Sequence, residues 1–481
     1  MRPRSFLILA IVLLAAACPA VTLAKPYKVK NLQAISGPSP FPGGCPGALL
    51  DETRIAGAEI EPAVTVNPAH PRNIVATWQQ DLGLGAARSD LIGSSRDGGK
   101  TWKRTTIPGL SRCTGGSFDA ATDPWLSAGP DGTVFFSGAV LDFSTEPWPA
   151  ALVSSRSRDR GRSWSAPVTF AGPSLRLERE VVTADPGRPG HAYVVWWERD
   201  PVNPFVGSTH QFARTTDGGA SWSTPTTLDA APPGALDQSA EILVLPSGSL
   251  LAIFARIQIE GAGALQMLFA SRSADQGQSW SAPVEVASQS IQPYVDPETG
   301  DQLPNQDMTF HSAAIAPDGT VYVAWDRASS PATGTIDIAT STDGGLSWRG
   351  PAPLPGVTAF AFQPAIAVDG RGTVGVIWYD NRNDRPGDAA LTTDVWFAHS
   401  AHGRSAWRQT HVAGPFDFRT APRPSGSLRL GEYQGLAGLR RRGFAAVFTQ
   451  AAPQAKDGPT DIFFARIGPR HHDRPAAHGH G

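Results

Sequence analysis

An all-β fold, a β-propeller built from four-stranded blades, is predicted by three features of this sequence. A short turn motif recurs at intervals of about 60 residues. The segments around each copy contain short runs rich in β-branched and aromatic residues, as strands do. The composition, with 50 glycines, 43 prolines and 17% charged residues in a chain of 481, suits many short strands joined by tight turns.

The turn motif is Ser/Thr-x-Asp-x-Gly-x-Ser/Thr-Trp, and five copies occur at residues 95–102, 157–164, 215–222, 273–280 and 341–348. A sixth copy at 400–407 has His402 in place of the aspartate, so a looser turn is expected there. The aspartate is suited to accept turn amides, the glycine permits positive φ, and the tryptophan supplies an apolar cap. We therefore assign the motif a structural role and no catalytic one.

The number of blades follows from the second strand of each unit. Seven segments have this character, at residues 73–78, 133–140, 191–197, 250–254, 320–325, 373–378 and 444–448. The seventh unit lacks an outer strand at its C-terminal end, and residues 27–36 are the available replacement. Closing a ring in this way removes exposed strand edges. Seven blades are therefore favoured, with six blades and a C-terminal hairpin as the runner-up.

The two ends of the chain differ from the repeats. Arg2 and Arg4 precede an apolar run at 6–17 that is too short to span a membrane, which is typical of a signal peptide. We expect a signal peptide at 1–24, an N-terminal segment with the ring-closing strand at 25–57, the propeller at 58–467 and a disordered His-rich tail at 468–481. The protein is expected to be secreted or periplasmic, with no integral membrane span. A lipid anchor on Cys18 is the alternative.

Charge, cysteines and motifs limit the function classes. A net charge of −2 gives no broad positive field, so no nucleic-acid partner is expected. Cys45 and Cys113 are expected to form a disulfide in an oxidising compartment, with two free thiols as the alternative. The sequence contains no Walker loop, His-Glu-x-x-His motif or nucleophile elbow. We predict no cofactor and no metal, and a monomer.

One face of the propeller is the expected functional surface. Turns between first and second strands are short, whereas long connections at 199–208, 288–309, 381–392 and 416–430 fall on the opposite face. Charged residues gather where second strands end and where inner strands begin. As single residues they are explained as solvated loop tips or ion pairs between blades, but together they form a converging set. A glycan or polysaccharide is the expected partner of this face.

The five turn motifs, together with 61–64 (Glu-Pro-Ala-Val), 378–382 (Trp-Tyr-Asp-Asn-Arg) and 430–436 (Leu-Gly-Glu-Tyr-Gln-Gly-Leu), resemble bacterial sialidase-like proteins with BNR (Asp-box) repeats. The resemblance covers roughly residues 58–467. It implies a propeller and a secreted glycoside hydrolase of the exo-α-sialidase type. In such enzymes three arginines bind the substrate carboxylate, an aspartate is acid and base, and a tyrosine paired with a glutamate is the nucleophile.

On this resemblance we assign carboxylate binding to Arg199, Arg327 and Arg382, with Asp380 beside them, acid/base catalysis to Asp81, and nucleophilic attack to Tyr433. Glu432 is a poor activator of Tyr433, because neighbours on a strand point to opposite faces. Glu61, or alternatively Glu180, from another inner strand is the expected activator. Two other classes stay open. One is a non-catalytic module that binds glycans or proteins through the same face, and the other is a polysaccharide lyase or another glycosidase on the same scaffold.

Overall fold

The computed structural model describes residues 27–469 except 176, 201, 202, 204–206, 261, 262, 292, 293, 302, 304–309, 331, 332, 404, 405 and 425. The expected signal peptide, Cys18 and most of the His-rich tail lie outside the described residues, as does part of the sixth turn motif. Among the described residues there is no helix with the length and apolar character needed to cross a membrane.

The described chain is all-β, as predicted, and its strands associate in groups of four. The twenty-eight strands are β1 Tyr27–Ala34, β2 Glu59–Val66, β3 Ile74–Leu82, β4 Ala87–Ser95, β5 Lys103–Thr106, β6 Ala120–Ala128, β7 Val134–Leu141, β8 Ala150–Ser157, β9 Val168–Ser174, β10 Leu177–Ala184, β11 Ala192–Glu198, β12 Thr209–Thr215, β13 Thr226–Ala230, β14 Ala235–Val244, β15 Leu250–Glu260, β16 Gly263–Ser273, β17 Val284–Ser290, β18 Ser312–Ile315, β19 Val321–Ser330, β20 Thr333–Ser341, β21 Arg349–Pro353, β22 Ala361–Val368, β23 Thr373–Asp380, β24 Thr392–Ala401, β25 Arg408–Asp417, β26 Gly435–Gly438, β27 Phe444–Ala451 and β28 Thr460–Pro469. Short 3-10 turns lie at Asp51–Thr53, Arg112–Thr114 and Phe418–Thr420.

Each group is an antiparallel meander that runs from an inner to an outer strand. In chain order the groups are β2–β5, β6–β9, β10–β13, β14–β17, β18–β21, β22–β25 and β26–β28 with β1. A single bridge between Ala87 and Ala121 joins the edges of the first two groups. The inner strands β2, β6, β10, β14, β18, β22 and β26 contact one another in that order, and β26 also contacts β2. The groups therefore surround a central axis, which is the architecture of a β-propeller.

The last group combines the two ends of the described chain. β1 pairs antiparallel with β28, so that Tyr27 lies opposite Pro469 and Ala34 lies opposite Phe463. β1 thus occupies the outer position that β26, β27 and β28 leave open. A disulfide joins Cys45, which follows β1, to Cys113 in the connection after the first group.

The core lies between the faces of neighbouring groups. Second strands supply the largest fully buried side chains, among them Trp78, Trp196, Trp325 and Trp378. The aromatic and β-branched character of these strands suits burial on both faces. Between the fourth and fifth groups, for example, Leu251 and Ile253 pack with Val321 and Val323.

The turns of the repeated motif are closed by their aspartates. Asp97 accepts hydrogen bonds from the amides of Lys100 at 2.9 Å and Thr101 at 3.0 Å, and from the Thr101 hydroxyl at 2.7 Å. Gly99 has φ +85°, and an added Cβ would lie 2.1 Å from the Phe464 ring of the preceding group. The motif tryptophan Trp102 packs on the same ring with centroids 5.0 Å apart. Each such turn therefore holds its hairpin and also contacts the neighbouring group.

Candidate functional site

The inner strands share a bulge near their first residues. Pairing between first and second strands shifts register at 60/63, 122/125, 178/181, 237/240 and 362/365. Two residues of the inner strand thus oppose one residue of the second strand. A β-bulge re-aims side chains and is common beside functional sites. The first residue of the bulge has positive φ in four groups: Glu61, Asp123, Arg179 and Gln363.

Four bulge residues face one cavity on the propeller axis. Glu61, Asp123, Arg179 and Gln238 all line a cavity of about 850 Å³. The loops between second and third strands contribute its rim, for example Leu84, Trp148 and Arg199. The cavity therefore opens on the face where the sequence analysis placed the long connections. Arg429 and Glu432, which precede β26, complete its charged wall.

Glu61 is a buried carboxyl group on the wall of this cavity. The side-chain amide of Gln79 donates to its Oε2 at 2.5 Å and also to the hydroxyl of Thr122 at 3.0 Å. The Thr122 hydroxyl in turn donates to Asp123 Oδ1 at 3.0 Å. Burial, followed by the negative charges of Glu432 and Asp123, raises the pKa of Glu61 well above its ordinary value. The surroundings of Glu61 therefore favour its protonated form.

Glu432 has the opposite surroundings, because two arginines flank it. Arg179 Nη1 lies 3.7 Å from Glu432 Oε2, and Arg429 Nη1 lies 3.7 Å from Oε1. Burial raises the pKa of Glu432, while the positive charges of Arg179 and Arg429 act against that rise. The Glu432 side chain is 27% exposed, so it is open to the cavity. The two carboxyl groups on this wall therefore have different surroundings: two arginines flank Glu432, whereas no described arginine or lysine lies within salt-bridge distance of Glu61.

Arg179 is fixed by two aromatic rings. Its guanidinium carbon lies 4.0 Å from the centroid of Phe310 and 5.1 Å from that of Tyr433. Such cation–π contacts orient a guanidinium without neutralising it. Its Nε and Nη1 have no hydrogen-bond partner among the described residues. Arg179 therefore lines the cavity and carries two buried donors that no described group satisfies.

Tyr433 lies beside the cavity wall. Its hydroxyl donates to the carbonyl oxygen of Pro124 at 3.1 Å, and its ring makes an edge contact with Trp125 at 5.2 Å. Burial, followed by the charges of Glu61 and Asp123, raises the pKa of Tyr433 well above its ordinary value. In this arrangement the phenol is favoured over the phenolate. The assignment of Tyr433 as nucleophile stays a prediction.

The rim of the cavity combines an ion pair with aromatic rings. Arg199 Nη2 lies 2.5 Å from Glu178 Oε1, and both residues line the cavity. The Arg199 guanidinium carbon also lies 5.6 Å from the centroid of the Trp197 ring. On another side of the rim, Trp148 packs on Phe143 with centroids 4.7 Å apart. An opening lined with indoles and charges suits a sugar, which has apolar faces and polar edges.

Further carboxyl groups lie buried next to the cavity. Both carboxylate oxygens of Asp90 and of Glu180 lack a hydrogen-bond partner among the described residues. Burial raises the pKa of each well above its ordinary value, and the charge of Asp123 adds to the rise. Burying these two carboxyl groups in their neutral, protonated form costs less free energy than burying two charges. They add to the acidic character of the axis without opening onto it.

One cluster of possible metal ligands is found in the described part of the chain, and it lies outside the cavity. Its members are His210, Asp229 and Asp237. Arg256 already contacts both aspartates, with its Nε donating to Asp237 Oδ1 at 2.8 Å. A guanidinium in that position supplies the positive charge that a cation would bring.

Asp81, the residue assigned to acid/base catalysis, is fully buried away from the cavity. Its carboxylate accepts hydrogen bonds from the Ser39 hydroxyl at 2.6 Å and the Gly57 amide at 2.9 Å. Arg88 pairs with it at 3.0 Å. These contacts fasten the N-terminal segment to the first group, so they favour a structural role for Asp81.

The other predicted residues divide into two sets. Glu61 and Arg199 line the cavity, whereas Arg327, Arg382 and Asp380 do not. Arg327 Nε pairs with Asp337 Oδ2 at 2.6 Å. Arg382 Nη2 pairs with Asp380 Oδ2 at 2.5 Å, and its guanidinium carbon lies 4.0 Å from the Trp396 centroid. These pairs lie within their own groups and do not contribute to the central wall.

Arg179 and Arg429 were not predicted from the sequence as site residues, and Glu432 was predicted to point away from Tyr433. Aligning the inner strands on their register would have placed Glu61, Asp123 and Arg179 at equivalent positions. A further signal was present, since Pro62, Pro124 and Pro364 follow the first bulge residue in three groups. A proline within a strand marks a bulge or an edge.

Comparison with known proteins gives likenesses in structure only. No protein-family model matches the sequence, and no curated protein matches it. Similar structures include a protein of unknown function from Dyadobacter fermentans DSM 18053, with a TM-score of 0.48 and 13% identity over 92% of this chain and 100% of that one. An α-L-arabinofuranosidase from Fusarium graminearum has a TM-score of 0.48 and 14% identity, covering 92% and 98%. The Trypanosoma rangeli sialidase has a TM-score of 0.45 and 11% identity, covering 92% and 60%. These values are low, and we base no activity on them.

Proposed function

We propose that this protein is a glycoside hydrolase that binds an acidic sugar in the central cavity. The observation that carries the proposal is the pairing of two differently held carboxyl groups on one wall. Burial favours the protonated form of Glu61, whereas two arginines beside Glu432 act against the rise that burial causes in its pKa. Glycoside hydrolysis commonly uses one carboxylic acid and one carboxylate across the scissile bond.

The roles of the two groups follow from their surroundings. Glu61 donates its proton to the glycosidic oxygen as the bond to the leaving group breaks. Gln79 holds the Glu61 carboxyl group in place through its 2.5 Å hydrogen bond. Glu432 acts as the anion that stabilises the positive charge developing on the sugar ring, and it either attacks that ring or activates a water.

The charge of the wall favours an acidic sugar. Arg179 and Arg429 approach Glu432 at 3.7 Å, which is longer than a direct hydrogen bond, so both guanidinium groups retain donors for a second carboxylate. Arg199 adds a third positive charge at the rim. Sialic acid meets this requirement, and the exo-α-sialidase type is the specific form of the proposal. In that form Tyr433 is the nucleophile, whereas the carboxylate form assigns this step to Glu432.

Export from the cytoplasm belongs to the same proposal. The disulfide between Cys45 and Cys113 supports an oxidising compartment. A glycan substrate outside the cell fits such a location.

The test is hydrolysis of a panel of aryl glycosides and natural glycans. In these substrates the sugar whose glycosidic bond is cleaved is sialic acid, a uronic acid or neutral arabinose. Purified protein without residues 1–24 is compared with Glu61→Gln, Glu432→Gln and Tyr433→Phe. Glu285→Gln is the matched control, because Glu285 is exposed on the outer strand β17. Circular dichroism establishes that every variant is folded.

We expect hydrolysis of an acidic substrate by the parent and the control, with losses of at least about 100-fold in Glu61→Gln and Glu432→Gln. A comparable loss in Tyr433→Phe, with Glu432→Gln retaining activity, identifies the tyrosine nucleophile of sialidases. Binding of glycans without turnover of any substrate overturns the hydrolase proposal in favour of a binding module. Unsaturated products would identify a lyase.

A further inference from the structure

A second cleft lies on the opposite face of the propeller. It has a volume of about 510 Å³ and is lined by Lys30, Arg371, Arg441, Arg442, Arg466, Gly468 and Pro469. Arg371 follows β22 and Arg441 follows β26, so both lie in turns between first and second strands. The central cavity is bounded instead by loops between second and third strands. Because successive turns of a meander alternate between its two ends, the cleft and the cavity open on opposite faces.

All five charged residues of the cleft are positive. In the described part of the chain, none of the five forms a salt bridge with an acidic side chain. Lys30 and Arg466 are direct cross-strand partners on β1 and β28. Like charges in that position repel each other. The arrangement is unusual in a chain whose net charge is −2, and a bound anion would relieve it.

Burial and a sixth positive charge strengthen this imbalance. Arg466 is partly buried, and its Nη1 donates to the carbonyl oxygen of Gly98 at 3.4 Å. Burial, followed by the positive charge of Arg72, lowers the pKa of Arg466. A lowered pKa in an arginine means that its charged form lacks compensation nearby.

The backbone that carries these cations is held by one buried aspartate. Asp369 accepts hydrogen bonds from the amides of Arg371 at 2.9 Å and Gly443 at 3.0 Å, and from the Tyr27 hydroxyl at 3.5 Å. It thereby joins the turn after β22, the turn after β26 and the start of β1. The amide of Gly370 also donates to the carbonyl oxygen of Leu439 at 3.0 Å. The cleft is therefore assembled before any ligand binds, which lowers the entropy cost of binding.

We propose that this cleft binds the tetrahedral oxyanion groups, sulfate or phosphate, of a polyanionic polysaccharide. Guanidinium groups donate in pairs to such oxyanions and retain their charge at all relevant pH values. The cleft lining contains no aromatic ring on which a nucleic-acid base would stack. Its position leaves a polymer bound there while the central cavity on the other face is free.

The proposal is tested by calorimetric titration with a size-defined heparin oligosaccharide, which carries sulfates, and a phosphorylated mannan of similar charge. The cleft variant is Arg441→Gln with Arg442→Gln. Its matched control is Arg440→Gln with Arg162→Gln, which removes the same charge from exposed positions outside the cleft lining. Thermal unfolding establishes that both variants are folded. A 20-base-pair DNA duplex is the third ligand.

We expect the parent to bind at least one of the two polysaccharides, with at least tenfold weaker binding in the cleft variant and at most a twofold change in the control. Preference for heparin or for the mannan identifies sulfate or phosphate as the source. Equal losses in both variants, no binding by the parent, or tighter binding of DNA would overturn the proposal. Arg179→Gln must leave this binding unchanged, because a loss there would place the anion in the central cavity. That variant also separates failure of the cleft proposal from failure of the hydrolase proposal.

Discussion

Arg179 and Glu432 meet across the propeller axis, with Nη1 and Oε2 3.7 Å apart, although 253 positions separate them in the sequence. Each residue stands at the start of an inner strand. The Arg179 side chain is 9% exposed and the Glu432 side chain 27% exposed. Both residues line the central cavity, so an anionic ligand bound there would meet this pair directly.

Replacing Arg179 with glutamine is expected to remove one of the two positive charges beside Glu432 and leave it with Arg429 alone. Loss of one partner of a buried charge pair with the ligand costs about 3 kcal/mol of binding, which corresponds to about 100-fold in kcat/KM. The effect should be large for acidic sugars and small for neutral ones, because the lost group binds the substrate carboxylate. Steady-state kinetics on matched acidic and neutral aryl glycosides measure both, with Arg162→Gln as control. Equal losses on both substrates would contradict a role in carboxylate binding.

Trp148 is expected to act as an apolar platform at the rim. Its ring lines the cavity and packs on Phe143. Trp148→Ala should raise KM for oligosaccharides about tenfold with little change in kcat, since stacking of a sugar on an indole contributes about 1 to 2 kcal/mol. Trp148→Phe should restore most of the affinity. A fall in kcat without a change in KM would instead place Trp148 close to the reacting bond.

The stability of the fold is expected to fall as pH rises from 6.5 to 8. Burial raises the pKa of Glu241 to about 8. The folded protein therefore binds a proton more tightly than the unfolded chain, whose glutamate titrates near 4.5, and this contribution is lost as pH rises toward 8. His311, 3.5 Å from Glu241, has its pKa lowered by burial to about 3. The effect of His311 on the free energy of unfolding has the opposite sign and no longer changes above pH 6.5. The range from pH 6.5 to 8 therefore reports on the Glu241 carboxyl group.

Glu241→Gln tests this assignment. Urea unfolding at pH 6.5 and at pH 8 should show a decline of up to about 2 kcal/mol in the parent from this residue, and a smaller decline in the variant. Glu285→Gln, on an exposed residue, should keep the parental decline. An unchanged pH dependence in Glu241→Gln would mean that other buried carboxyl groups, such as Asp326 with a pKa raised by burial to about 7, dominate.

The repeated turns provide a test in the frame of the propeller. The Asp217 carboxylate accepts hydrogen bonds from the amides of Ala220 at 2.8 Å and Ser221 at 3.0 Å, and from the Ser221 hydroxyl at 2.6 Å. Asp217→Ala should lower the free energy of unfolding by about 1 to 2 kcal/mol, as loss of a side-chain cap does. Asp217→Asn keeps one acceptor oxygen, so its free energy of unfolding should lie between those of the parent and Asp217→Ala. Catalytic parameters should not change, since the turn lies on the face opposite the cavity.

The strands and turns of this protein could be predicted from the sequence because each depends on residues that are close together in the chain. Asp97 and its equivalents determine each turn within eight residues, and the β-branched runs around them form strands wherever they pack. The position of β1 was predictable for a physical reason as well, since a sheet that lacks an outer strand next to an unused strand-like segment has an edge to fill.

The site was less predictable because it depends on register. The bulges that turn Glu61, Asp123 and Arg179 toward the axis arise from pairing with the second strand, which no single segment encodes. Arg327 and Arg382 were attractive in the sequence since they follow second strands. In the structure, Asp337 and Asp380 within the same groups satisfy them. The opposite orientation of Glu432 and Tyr433 was anticipated, but the cavity lies on the side of Glu432.

The disulfide between Cys45 and Cys113 is expected to stabilise the closed ring. The two cysteines are 68 positions apart, and a cross-link over such a loop lowers the entropy of the unfolded chain by the equivalent of about 4 kcal/mol. Among the described residues, this disulfide is the only covalent cross-link of the segment between β1 and β2. In the same segment, Asp51 pairs with Arg88 at 2.8 Å. Cys45→Ser with Cys113→Ser should therefore lower the melting temperature by several degrees and match the reduced parent. Addition of dithiothreitol should not affect the double variant. If reduction leaves the parent unchanged, the ion pairs of Arg88 with Asp51 and Asp81 hold the N-terminal segment on their own, and Arg88→Gln would then have the larger effect.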